Sequence, residues 1–91
     1  MNISTHQTHQ SNGYDLMRVI FEHVSNRISR MESGERTTCR GLFEPWVWEA
    51  IPATDRRHAI GPFVSMIVAQ GKVPLEFAGF NHARRNLYRK M

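Results

Sequence analysis

The sequence predicts an α+β domain: three helices, a short strand before the second helix, and a β-hairpin toward the C-terminal end. Three observations predict it. Apolar residues recur at helical spacing in two long stretches, the period changes to near-alternation after Gly71, and glycines and prolines punctuate the joints. The chain has 91 residues, of which 41% are hydrophobic, enough for one core and too apolar for disorder throughout.

Residues 1–12 are polar, with only Ile3 apolar beyond Met1, and read as a flexible tail ahead of one domain over 13–91. From Tyr14, the residues Met17, Ile20, Phe21, Val24, Ile28 and Met31 form one apolar stripe, so the first helix is expected over about 14–32. Asp15 suits its first turn and Ser33-Gly34 suits its end. Residues 36–39 are β-prone and predict the short strand. In the next segment Leu42, Phe43, Trp46 and Ala50 share a helical face, Pro45 fits a first helical turn, and Pro52 stops it.

The third helix is expected over 55–70, capped by Thr54 or Asp55, with Ala59, Ile60, Phe63, Val64, Ile67 and Val68 as its apolar set. Pro62 lies inside it and should kink or split it, and Gly71 should end it. Beyond, Val73, Leu75 and Phe77 alternate, residues 81–84 are turn-like, and residues 86–90 return as a second strand. Pro74 cannot donate to a ladder and belongs at a strand start or edge.

Charge is unevenly placed. The net charge is +4, yet residues 1–53 sum to −1 and residues 54–91 to +5. That asymmetry points to a polyanionic partner. A single cysteine, Cys39, excludes an intrachain disulfide and reads as a small buried apolar residue. No apolar run is long enough to span a bilayer, and residues 1–6 lack the charged-then-apolar layout of a secretory signal, so a cytoplasmic protein with no membrane partner is expected. No acid or nucleophile stands at a recognisable spacing from a histidine, and there is no glycine-rich phosphate loop or Cys/His quartet. The expectation is a binding protein without catalytic residues, metal or cofactor.

The element order, with helices 2 and 3 joined tightly through Pro52-Ala53-Thr54, resembles the winged helix-turn-helix architecture. From Thr37 to Lys90 the chain also resembles small uncharacterised winged-helix-like domains of bacteria and their prophages. The residues that carry this likeness are Leu42-Phe43, Trp48, Ile51-Pro52, Arg57, Gly61, Phe63, Val68, Gly71 and Tyr88-Arg89-Lys90. The resemblance implies that helix 3 is a recognition helix and the hairpin a wing. It makes Thr54, Arg56, Arg57 and His58 candidate contacts on the helix, and Lys72, His82, Arg84 and Arg85 candidates on or near the wing, with double-stranded DNA as partner and transcription regulation as role. Pro62 departs from an ideal recognition helix. The alternative is a protein-interaction module, such as a prophage-type inhibitor that docks on a host protein through tryptophan-rich helix 2. Leu16 and Val19 lie off the main stripe of helix 1 and suit a homodimer contact.

Overall fold

A computed structural model describes residues 3–91, with side chains from Leu16 onward. It is an α+β fold of three helices and a three-stranded antiparallel sheet. Helix α1 is Ile3–Ser29, and β1 is the two-residue strand Arg36–Thr37. A 3₁₀ turn, Arg40–Leu42, leads to α2, Pro45–Ala50. Helix α3 covers residues 53–69, and strands β2 (Leu75–Phe80) and β3 (Asn86–Lys90) close the hairpin.

The backbone of α1 begins at Ile3, so most of the stretch read as a tail is helical, while residues 1–2 lie outside the described chain. Extending an existing helix avoids the costly nucleation step, which lets a polar segment continue it. The apolar stripe is placed as its spacing predicts. Ile20, Val24, Ile28 and Met31 are buried, and Met17 and Phe21 pack against them.

Other boundaries also differ from the sequence reading, and α1 ends at Ser29, ahead of Ser33-Gly34. The strand after α1 keeps only Arg36 and Thr37, because Cys39 already has helical dihedrals ahead of the 3₁₀ turn. Helix α2 starts at Pro45, with proline in its first turn as expected. Helix α3 starts at Ala53, so Thr54 and Asp55 lie inside it, and no side chain caps it. Its Pro62 produces neither a break nor a split. Residues Arg56–Ile60 instead form one π-helical turn, in which the Gly61 N–H donates to the Arg56 carbonyl five residues back. A widened turn accommodates the missing proline donor within an unbroken run of helical residues.

Helix α3 ends in a Schellman motif. The Gly71 N–H donates to the Val68 carbonyl and the Lys72 N–H to the Ile67 carbonyl, with Gly71 at φ 70° where a side chain would strain.

Strand β3 lies in the middle of the sheet, with order β1-β3-β2. Thr37 and Phe77 both pair with Tyr88, and Glu76 pairs with Arg89. The core sits between α1, α3 and this sheet, and includes Leu42, Phe43, Ile60, Val64, Ile67, Val73, Leu75 and Tyr88. Beyond β3's own pairing, the Lys90 ammonium donates to the carbonyls of Ile28 (2.9 Å) and Met31 (3.1 Å). Those oxygens lie at the end of α1, where the dipole favours a cation, and the Ile28 carbonyl also accepts the Met31 N–H at 3.0 Å. Lys90 therefore seals a helix more than fifty residues earlier.

A charged donor to two carbonyls contributes about 1–3 kcal/mol. Lys90→Ala should lower the thermal midpoint by roughly 5–15 °C for a domain of this size. Differential scanning calorimetry checks this, and Arg30→Ala, which removes an exposed arginine on the same helix end, should leave the midpoint within about 2 °C.

Candidate functional site

The N-terminal half of α3 and the hairpin face each other across an open groove of about 720 Å³. Its walls carry four arginines: Arg56 and Arg57 from α3, Arg85 from the start of the β3 side of the hairpin, and Arg40 from the 3₁₀ turn. Trp48 contributes aromatic surface with the buried Tyr88 beneath, and Cys39, Ser65, Asn81 and Asn86 contribute smaller groups. No carboxylate lines it.

The four arginines are not equivalent. Arg56 is half-buried and fully engaged. Its Nε donates to the Trp48 carbonyl at 3.0 Å, its terminal nitrogen to the Glu49 carbonyl at 3.4 Å, and its guanidinium lies 5.3 Å from the Trp48 ring centroid. The same terminal nitrogen approaches the Glu49 carboxylate at 3.9 Å. Trp48 and Glu49 are in the last turn of α2, so Arg56 closes the C-terminal end of α2 as Lys90 closes that of α1. The stack continues through Trp48 to Phe43 and from Phe43 to His23, each step 5.5 Å between ring centroids. Arg56 thus holds α2 and α3 together and is a structural residue first.

Arg57 and Arg85 are exposed and have no ion pair or side-chain hydrogen bond among the described residues. Arg40 faces Glu49 at 3.6 Å, but both side chains are mostly exposed. Such a pair is weak and salt-screened, so it leaves Arg40 available to a stronger anion.

The hairpin tip is built by Asn81. Its side-chain oxygen accepts the N–H groups of Ala83 and Arg85, both at 2.9 Å, and its backbone pairs with Arg84 and Arg85. This locks a three-residue tip, His82-Ala83-Arg84, with Arg84 at φ 63°. A left-handed residue in that place is the usual closure of a three-residue hairpin loop.

Of the residues selected from the sequence, Arg56, Arg57 and Arg85 line the groove. Thr54 and His58 are exposed on the first turns of α3, and His82 and Arg84 are exposed on the tip, all outside the groove lining. Lys72 lies beyond the opposite end of α3, beside Val68, Pro74 and Met91. Arg40 was missed. It precedes α2 in sequence, and only the β1–β3 pairing brings its turn to the hairpin. Among the described residues, no three His, Cys, Asp or Glu side chains come together as a metal site, and no helix is long and apolar enough to cross a membrane.

Burial pushes the Cys39 thiol from 9.0 up to about 11. It is therefore a neutral thiol at physiological pH. No protein family, curated protein or solved structure matches this chain.

Two predictions follow from this geometry. Arg56→Ala should destabilise the fold by about 1–3 kcal/mol, because it removes charged hydrogen bonds and packing on Trp48, whereas Arg57→Ala should stay within about 0.5 kcal/mol of the parent. Urea denaturation of the two variants separates them. For Cys39, the unfolded thiol ionises near 9.0 while the folded thiol holds its proton to about 11. Stability should accordingly fall as pH rises through that window, and Cys39→Ala should flatten that part of the pH profile.

Proposed function

We propose that this protein is a small nucleic-acid-binding regulator of winged-helix type that holds double-stranded DNA with α3 and the hairpin. The observation that carries the reading is the groove itself. Arg57 and Arg85, distant in sequence, face the same space with no ion pair or side-chain hydrogen bond among the described residues, joined by the weakly paired Arg40. Guanidinium groups pair with phosphates and bind guanine edges bidentately. The element order and the β1-β3-β2 sheet also support the winged-helix assignment, in which α3 is the recognition helix and the hairpin is the wing.

Within this reading Arg57, Arg85 and Arg40 supply phosphate contacts from the groove. Thr54 and His58 stand on the turns of α3 from which base edges are read, and His82 and Arg84 extend the wing. Arg56 positions α3 rather than touching DNA. The π turn sets the first part of α3, including Arg57 and His58, on a wider spiral than a regular helix gives.

One observation favours a second reading, docking on a protein. Trp46 on α2 is 73% exposed. Exposed tryptophans are common at the centre of protein interfaces. Trp46 is, however, flanked by the exposed acids Glu44 and Glu49, and lies outside the groove.

Fluorescence anisotropy with a labelled random duplex tests the proposal. Binding at low salt with a dissociation constant of about 10⁻⁴–10⁻⁶ M is expected, weakening steeply as salt rises. The double variant Arg57→Ala/Arg85→Ala should reduce the slope of log K against log salt by about 2 with an unchanged thermal midpoint. Trp46→Ala should leave the titration unchanged. Absence of association at low salt would reject the nucleic-acid reading.

A further inference from the structure

The hairpin carries a second feature that arginine–phosphate contacts leave unused. Phe77 and Phe80 on β2 are 53% and 64% exposed, and their rings meet edge-to-face at 5.4 Å. Three residues apart, they would project to opposite faces of a regular strand. A bulge between Phe77 and Phe80 resets the phase, with Gly79 at φ 98°, and brings both rings to one side.

That side is the one from which β3 lines the groove. Phe77 pairs across the ladder with Tyr88 and Phe80 with Asn86, and cross-strand partners share a face. Tyr88 and Asn86 both line the groove, the Phe77 ring lies 6.5 Å from that of Tyr88, and the Asn86 amide donates to the Tyr88 hydroxyl. An aromatic row thus runs from the groove floor, at Tyr88, outward through Phe77 to Phe80. The one carboxylate on β2, Glu76, is held by Arg89 across the ladder. Tyr88, at the inner end of the row, shares the groove lining with Arg57 and Arg85, and no carboxylate is in that lining among the described residues.

A cationic channel beside exposed aromatic rings is the arrangement that holds single-stranded nucleic acid, with phosphates on the arginines and bases stacked on the rings. Intact duplex keeps its bases stacked on one another and offers these rings nothing but sugar and phosphate. We infer that Phe77 and Phe80 form a stacking platform for unpaired bases, and that the preferred partner is a duplex flanked by a short single strand. This rests on the groove reading above and adds the class of nucleic acid. The unpaired segment can be deoxyribose- or ribose-based, since stacking on a ring face is common to both.

The experiment compares four labelled probes by anisotropy at one salt concentration: a blunt duplex, the same duplex with a four-thymidine overhang, the same duplex with a four-uridine overhang, and the overhang-length strand alone. The expected result is at least tenfold tighter binding of an overhang probe than of the blunt duplex, since one stacked base is worth about a factor of ten or more. Phe77→Leu/Phe80→Leu keeps apolar volume but removes both ring faces, and should abolish the gain while leaving blunt-duplex affinity within twofold. Far-ultraviolet circular dichroism and the thermal midpoint establish that the variant is folded, and single Phe80→Leu serves where the double variant is not. Equal affinity for blunt and overhang probes overturns the platform and leaves the groove reading standing, as does a gain that survives the leucine substitutions. No binding of any probe rejects both. The thymidine and uridine arms tell which sugar is favoured.

Discussion

Two helices in this fold depend on cations delivered from far along the chain to their C-terminal carbonyls. Lys90 closes α1 and Arg56 closes α2. Neither helix has a glycine cap at its end, since α2 terminates at Ile51-Pro52 and α1 runs past Ser29 into a turn. A helix end without partners for its last carbonyls is costly when partly buried. The Ile28 and Trp48 carbonyls already accept the N–H groups of Met31 and Ile51, and the cations add a charged second donor to each while linking elements distant in sequence. Lys90 ties α1 to β3, and Arg56 ties α2 to α3 through a stack that reaches His23 on α1. The groove lies beside the Arg56 tie, whose Arg56 and Trp48 are part of its lining, whereas Lys90, Ile28 and Met31 are outside that lining.

This placement also explains why net charge is an imperfect guide to the exposed positive surface. Residues 54–91 carry seven basic side chains. Arg56 and Lys90 are engaged on backbone carbonyls, and Arg89 is engaged by Glu76. The free positive field comes from Arg57, Arg84, Arg85 and Lys72, and of these only Arg57 and Arg85 share the groove. The cations with internal partners set the geometry, and those without give the surface its field. Periodicity and charge counts do not distinguish the two, because the distinction depends on which carbonyls lie nearby in three dimensions.

The coarse architecture was legible in the sequence for a physical reason. The stripes from Ile20 to Met31 and from Ile60 to Val68 repeat at the helical period because one face of each helix is buried. Leu75 and Tyr88, the buried residues of the hairpin, likewise mark its inner face. What was not legible depends on backbone detail. A proline at position 62 signals disruption, yet whether the helix kinks, splits or widens is decided by packing on both sides, and here it widens. The bulge in β2 is similar: Gly79 permits it, but the ring contact that it creates is invisible until the ladder register is known. Arg40 joined the site because the short strand before it pairs with β3, and propensity marks a strand without naming its partner.

The pairing of β1 with β3 brings Arg36 opposite Arg89, while the contacts of β2 with β3 are local. Hairpins of this kind close in about 1–10 μs, and pairings across more than fifty residues are slower because they carry the larger loop entropy. The β2–β3 contacts therefore carry a smaller loop-closure cost than the pairing of β1 with β3. Since Thr38, Cys39 and Arg40 form one wall of the groove, that wall stands only while β1 holds its place beside β3. A chain without this pairing would keep every basic residue and still lack the enclosed shape, so two residues of strand decide whether the charge lies in a cleft or on an open face.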